Sequence, residues 1–273
     1  MPAAILDRTS EVLSFSRLKL NLPKSLEALQ EEYLTAHPFP HLVLDNLFPP
    51  ESVDSVLAEL SDLTSDKWIH DKQKTLVKSN MRSAVDLGDN GFQFVSLLNS
   101  AGFLYFVTEI TGVKGLLPDP YLTGAGYSVM GEGGKFSVHA DRNTDHYSGL
   151  ERRVVMLIYL NKNWSTELGG QLELWSKDGL QREKSIEPIF NRTVFFEIAD
   201  DNFHAVRPVT NGSERARMSF MSYYHTVGRN VIPHYSIYAP GIYQENPSFL
   251  KKVVKGALPP FIFDALKNIS PSK

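Results

Sequence analysis

Lys135-Phe136-Ser137-Val138-His139-Ala140-Asp141 is the stretch from which this 273-residue chain is best read. Phe136 and Val138 give it strand character. In a strand, side chains two residues apart point to the same face, so His139 and Asp141 can converge on one point. Sixty-five residues after His139 comes Phe203-His204-Ala205-Val206, which begins another apolar run with a histidine. Thirteen residues after His204 comes Arg217-Met218-Ser219, again with period two. Two imidazoles and one carboxylate can hold a metal on one side and leave its other side open. Taken alone, a His-x-Asp spacing arises by chance, and the chain has eight histidines. His204 by itself reads equally as a hydrogen-bonded core histidine. What sets His139 and Asp141 apart is the turn before them, Gly131-Glu132-Gly133-Gly134, and the strand-like sequence around all three residues.

Working outward, short apolar runs alternate with turn clusters from Tyr121 to Tyr224. The pattern predicts strands over Tyr121–Met130, Phe136–His139, Arg153–Leu160, Gln171–Trp175, Arg182–Ile186, Thr193–Glu197, His204–Pro208 and Ala216–Tyr224. Asn161-Lys162-Asn163-Trp164, Gly169-Gly170 and Asn211-Gly212 are turns between them. About eight short strands at this spacing suggest a double-sheet jelly roll with a ligand cavity between its sheets. Upstream, helical spacing predicts a helix over Leu22–Ala36 with Pro23 at its first position. A strand over His41–Asn46 follows, then a helix from Pro50 to about Leu63. Residues 64–90 read as loop and short strand, and Phe92–Ile110 reads as one apolar helix laid across a sheet and stopped at Thr111-Gly112. The tail from Arg229 is rich in proline and aromatics and ends in a predicted helix, Pro260–Leu266. The fold class is therefore an all-β core with flanking helices. Residues 1–120 form a helical support region, 121–228 a catalytic core, and 229–273 a C-terminal extension.

Composition narrows the chemistry. A hydrophobic content of 42% and a charged content of 22% are ordinary for a globular protein. With 28 basic against 31 acidic residues, nothing pulls the chain broadly toward nucleic acid. The absence of cysteine removes disulfides, iron–sulfur clusters, thiolate-bound zinc and a cysteine nucleophile together. Any metal must be held by His, Asp or Glu. No stretch approaches the roughly 18 apolar residues of a membrane span, and the N-terminus is unlike a secretory signal. The expectation is a cytoplasmic protein that engages neither nucleic acid nor membrane.

Arg217 and Ser219 share a strand face. An arginine inside a barrel needs an anion, since an unpaired buried charge is costly, and a carboxylate would give it a bidentate partner. Arg217 reads equally as facing outward, and Arg215 shares its face as the rival anchor. Tyr159 lies in Val154-Val155-Met156-Leu157-Ile158-Tyr159-Leu160, a run apolar on both faces and so a buried central strand. Its hydroxyl would need a partner there, either as an ordinary core tyrosine or beside the arginine's carboxylate.

The segment from about Tyr127 to Tyr224 resembles the prolyl-4-hydroxylase-like branch of the Fe(II)/2-oxoglutarate-dependent dioxygenases. The matching features run in order: Gly131 to Asp141, Met156 to Trp164, Leu168 to Trp175, Pro188 to Phe196, Phe203 to Val206, and Arg217 to Ser219. Pro38 to Asn46 looks like the entry to the same fold. The resemblance implies a double-stranded β-helix with His139, Asp141 and His204 as iron ligands. It implies that Arg217 and Ser219, assisted by Tyr159, bind the distal carboxylate of 2-oxoglutarate. The thirteen-residue gap between His204 and Arg217 is longer than the family's usual spacing, which keeps Arg215 in contention. Implied cofactors are Fe(II), 2-oxoglutarate and O2, with ascorbate as a stimulant. Implied products are succinate, CO2 and an oxidised C–H bond, and Asp141 argues against the halogenase variant, which lacks this carboxylate.

Substrate choice should lie in the roofing loops: Asp141–Arg152 with Arg142, Asn143, His146 and Arg152, the 64–90 segment with Arg82, and the aromatic tail. No peptide-binding module is visible, so the expected substrate is a small molecule such as an amino acid or natural-product intermediate. A prolyl residue of a peptide or protein is the alternative. A non-catalytic jelly-roll protein holding a metal or sugar is the reading from another class.

Overall fold

The structure, a computed structural model, describes residues 18–60, 66, 68–81, 86–210, 215–228, 232–239 and 241–243. Arg82 and the predicted Pro260–Leu266 helix lie outside these residues, as do the last part of the helix predicted to reach Leu63 and most of the turn before Arg215.

Helix α1 spans Leu26–Thr35. It starts later than the apolar spacing suggests because Ser25, not Pro23, marks its beginning. The Ser25 hydroxyl accepts from the Ala28 N–H at 3.3 Å, which satisfies an otherwise orphaned donor. Strand β1 is His41–Asp45 and α2 is Pro50–Ala58. Strands β2 (Trp68–Lys72) and β3 (Leu76–Met81) form a hairpin within the segment that the sequence suggested to be loop and short strand. Its faces are mixed in polarity, so the apolar alternation that announces a strand is missing.

The single helix predicted over Phe92–Ile110 is two: α3, Asp89–Leu98, and α4, Ala101–Thr111, bent by 51°. Ser100 breaks it. Its hydroxyl accepts from the Phe103 N–H at 3.2 Å and restarts the chain as a new helix. Gly112, at φ 72°, closes α4 where expected. Among the described residues no single helix is long and apolar enough to cross a membrane. Phe94 of α3 meets Phe220 edge-on at 5.6 Å, and Phe103 of α4 stacks on Phe48, so these helices cover a sheet.

The remaining strands are β4 (Gly126–Met130), β5 (Lys135–Ala140), β6 (Glu151–Tyr159), β7 (Leu172–Trp175), β8 (Arg182–Ile186), β9 (Arg192–Glu197), β10 (His204–Val206), β11 (Arg217–Thr226) and β12 (Ile237–Tyr238). Eight of these match the predicted strands within a few residues, except that β4 begins at Gly126. Tyr121–Ala125 is instead a turn, held by the Asp119 carboxylate accepting from the Leu122 N–H at 2.9 Å. The strand order is β1-β9-β6-β11-β4-β3-β5-β10-β7-β8, with antiparallel pairing throughout. Strand β3 joins the two halves of the roll by pairing with β4 at one end and β5 at the other. The helices pack on the outside of the β1-β9-β6-β11-β4 half, and the site lies inside, between the halves. This is the double-stranded β-helix, or jelly roll.

The Asp119 turn has a pH signature. Burial raises the Asp119 carboxyl to about 6, against the opposing pull of the Leu122 N–H and Arg152, and its second oxygen has no partner. A raised folded pKa favours the protonated form, so ionisation penalises the fold as pH rises through this value. A shift of about two units corresponds to roughly 3 kcal/mol at most. We expect Asp119→Asn to raise the unfolding free energy by about 1–3 kcal/mol at pH 8, with the gain vanishing below about pH 4. Denaturant titration at the two pH values checks this, and an equal effect at both would contradict it.

Candidate metal centre and anion cradle

His139 and His204 are direct cross-strand partners of β5 and β10, which is how a gap of 65 residues closes. Their rings lie 4.3 Å apart. Asp141 follows β5 and keeps its alternation, so its Oδ1 sits 3.3 Å from His139 Nε2 and 3.8 Å from His204 Nε2. All three residues are buried and offer ligand atoms within 4.8 Å of one another. Among the described residues no other such group occurs.

The backbone fixes the tautomers. His139 Nδ1 lies 2.7 Å from the Ser137 carbonyl, and His204 Nδ1 lies 3.1 Å from the Asn202 carbonyl. A carbonyl can only accept, so each Nδ1 carries the proton and each Nε2 presents a lone pair to the centre. Burial and the neighbouring His139 push His204 down to about 4, against the attraction of Asp141, so this ring is neutral at neutral pH. Burial raises the Asp141 carboxyl, but the neighbouring imidazoles and the Arg152 charge outweigh it and hold the group below the usual carboxylate range. Phe136 stacks on His139 with centroids 3.6 Å apart, and Phe196 meets His204 edge-on at 4.8 Å. These rings limit how far the imidazoles can turn.

The second cluster sits deeper in the same cavity. Arg217, Ser219, Met221 and Tyr223 of β11 all face it, while Phe220 and Tyr224 face the helices. Arg217 is 1% exposed, whereas Arg215 is exposed and spends its guanidinium on the Asn163 carbonyl at 2.8 Å. The structure thus sends Arg217 inward and Arg215 outward. Arg217 Nε donates to the Gly170 carbonyl at 2.7 Å and Nη1 to Ser219 Oγ at 3.4 Å, while Nη2 has no partner. The Tyr159 ring lies 5.0 Å from the same guanidinium, and its buried hydroxyl is also unpartnered. A fully buried cation with a free donor, beside a free hydroxyl, is a cradle for an anion.

Gly170 makes the cradle possible. At φ 74° it favours glycine, and a Cβ there would stand 3.0 Å from Arg217 Cδ and 3.3 Å from Trp164. The sequence showed Gly169-Gly170 only as a turn; its contact with Arg217 required the fold. Lys78 was also missed. It projects from β3 into the cavity beside Asp141, half-buried, with its ammonium 5.5 Å from the Phe136 ring centroid. Burial pulls its pKa down while Asp141 and Asp71 hold it up.

The roofing residues divide differently from expectation. Asn143 is occupied by the tail: its amide donates to the Ile232 carbonyl at 3.0 Å and its oxygen accepts from the His234 N–H. Arg142 lies over Tyr235 of the same tail. Arg152 is buried on the Thr123 carbonyl and Asp145. Only His146 of the four lines the open groove beside the cavity. The tail straps the site edge through β12, which pairs with Ala140 and His139.

Comparison with known proteins joins this geometry to a lineage. A family model described as the 2OG-Fe(II) oxygenase superfamily matches residues 125–225, which include His139, Asp141, Tyr159, His204, Arg217 and Ser219. Residues 125–225, which carry the site, match this superfamily, and the chain is similar to its prolyl-4-hydroxylase-like branch. Members are 2-oxoglutarate-dependent dioxygenases that use Fe(II), 2-oxoglutarate and O2. The chain is 28% identical over 211 residues to the mouse prolyl 3-hydroxylase OGFOD1, covering 74% of the chain and 35% of the mouse protein. It is 38% identical over 68 residues to the mouse prolyl hydroxylase EGLN3, covering 24% of the chain and 28% of that protein. The chain thus spans about a third of the curated relatives it matches. Among solved structures, a Pseudomonas putida prolyl-4-hydroxylase shares the fold with a TM-score of 0.54 at 18% identity, over 74% of this chain and 98% of that one. A Trichoplax adhaerens prolyl hydroxylase, solved with a hypoxia inducible factor peptide fragment, gives 0.54 at 18% identity, over 80% and 91%. These relatives correct the expectation of a small-molecule substrate: each is named for action on a prolyl residue, and one is seen with a peptide. The sequence shows no separate peptide-binding module; the structure has an open groove lined by the β2–β3 hairpin and by turns of the core.

Proposed function

We propose that this oxygenase hydroxylates a prolyl residue of a peptide or protein, with 2-oxoglutarate and O2 as co-substrates. The observation that carries the reading is the groove of about 830 Å³ beside the metal centre. Ile69, Asp71 and Asn80 of the β2–β3 hairpin form one wall, and Tyr121–Ala125 and His146–Ser148 form the others. Lys78 of the cavity and Asn80 of the groove share one face of β3, which places the groove next to the cavity. Ile69, Tyr121 and Tyr147 are 45%, 68% and 75% exposed, which is much apolar surface for a wall meant only for water. An extended chain threading a residue inward would cover it.

His139, Asp141 and His204 would hold Fe(II), and their two free lone pairs and one ionised oxygen fit that ion. The bound iron with 2-oxoglutarate supplies the oxidising chemistry. Arg217, with Ser219 and Tyr159, would fix the distal carboxylate of 2-oxoglutarate, because this is where free donors face a buried space. Val155, Leu157, Leu172 and Phe196 line the cavity and keep water from it.

The test is direct. Purified protein is supplied with Fe(II), 2-oxoglutarate and ascorbate and offered two panels, proline-centred peptides and free amino acids. Gain of one oxygen on a peptide proline, with matched succinate, is expected. Oxidation of a free amino acid with every peptide left unchanged would overturn the reading.

A further inference from the structure

Asp141 has two carboxylate oxygens, and the fold treats them differently. Oδ1 faces both His139 Nε2 and His204 Nε2. Oδ2 is turned away and accepts a hydrogen bond from the Tyr223 hydroxyl at 3.3 Å. Tyr223 is 4% exposed, on the cavity face of β11. Its ring is pinned by the Arg152 guanidinium 4.0 Å above it. Arg152 is itself fixed, with Nη2 donating to the Thr123 carbonyl at 2.6 Å and lying 3.5 Å from Asp145 Oδ2. A carboxylate oxygen accepts and a phenol O–H donates, so Tyr223 is the donor in this pair.

We propose that Tyr223 is a positioning residue that holds Asp141 to one-oxygen binding of the metal. The inference rests on the proposed iron centre. Two imidazoles and one carboxylate oxygen leave three positions of an octahedral ion open. A 2-oxoglutarate chelate takes two and leaves one for O2. A carboxylate bound through both oxygens would remove that last position. Carboxylates bind metals in either way, so something must choose between them. Here the choice is made by a phenol that occupies Oδ2 and is too well packed to yield. The partners on the far side of a ligand commonly change metal-site behaviour ten- to a hundred-fold.

The test compares the full chain with Tyr223→Phe and with Tyr224→Phe. The Tyr224 hydroxyl meets the Leu98 carbonyl at 3.4 Å on the other face of the strand, so that variant removes a buried hydroxyl without touching Asp141. Each protein is loaded with Co(II) for its ligand-field spectrum and with Fe(II) for kinetics. For Tyr223→Phe we expect Co(II) to bind as tightly as in wild type or more so, with an altered band pattern. Its KM for O2 should rise about tenfold while its KM for 2-oxoglutarate stays within about twofold. Tyr224→Phe should match wild type in all four readings. An unchanged spectrum and unchanged KM for O2 in Tyr223→Phe would overturn the inference, as would an equal change in Tyr224→Phe. If wild type takes up no metal, the iron centre itself fails, and that result is distinct from either outcome.

Discussion

His139→Ala and Asp141→Ala should each leave a folded protein that takes up little Fe(II) and produces no measurable succinate from 2-oxoglutarate. The expectation follows from geometry. Among the described residues only three ligand atoms converge on the centre, and each Nε2 is presented by a backbone carbonyl that fixes its ring. Losing a group that merely supports a ligand commonly costs ten- to a hundred-fold, so losing a ligand should exceed about a hundred-fold. The substitutions should not unfold the chain. They remove polar groups from a site whose walls, Phe136 and Phe196, still pack. Metal content of the purified variants, beside their melting curves, is the measurement. Retention of wild-type metal content in both variants would mean that the metal, if any, lies elsewhere.

Arg217→Met should divide stability from function. The guanidinium is fully buried, with one terminal nitrogen unpartnered. Replacing such a charge with an apolar side chain of similar length can leave a protein as stable, or more stable by about 1–4 kcal/mol. Binding of 2-oxoglutarate should move the other way. Each lost hydrogen bond to a charged group is worth about 1.5–3 kcal/mol, or roughly ten- to a hundred-fold in affinity. We therefore expect a melting temperature for the unliganded variant equal to or above wild type, with the stabilisation normally added by 2-oxoglutarate gone. Arg215→Ala, which frees only an exposed contact to Asn163, should keep that stabilisation. A larger loss of 2-oxoglutarate binding in Arg215→Ala than in Arg217→Met would exclude Arg217 as the anchor.

Much of this was legible in the chain itself. The strand alternation that put His139 beside Asp141, and Arg217 beside Ser219, is a local property, since period two needs no knowledge of neighbours. The apolar run around Tyr159 likewise marked a buried central strand, and it is β6. Local signals failed where a polar side chain, rather than apolar spacing, set the boundary. Ser25 and Ser100 each cap a helix that the apolar pattern placed too early or ran straight through. The β2–β3 segment read only as loop and short strand because neither of its faces is uniformly apolar, and Lys78 and one wall of the groove went unremarked with it.

The sequence by itself singled out the candidate residues for the chemistry. It supplied two histidines, an aspartate and an arginine at strand spacing, in an order that a jelly roll can use. Only the tertiary structure decided which arginine turned inward, which carbonyls oriented the imidazoles, and which oxygen of Asp141 faces the centre. Those are relations between strands far apart in the chain. Pairing of β5 with β10 and of β11 with β4 and β6 sets them, and no local pattern records which partner a strand will find. The opening stretch, Lys135 to Asp141, offered two of the three candidate ligands; the strands that close around it determine what those side chains face.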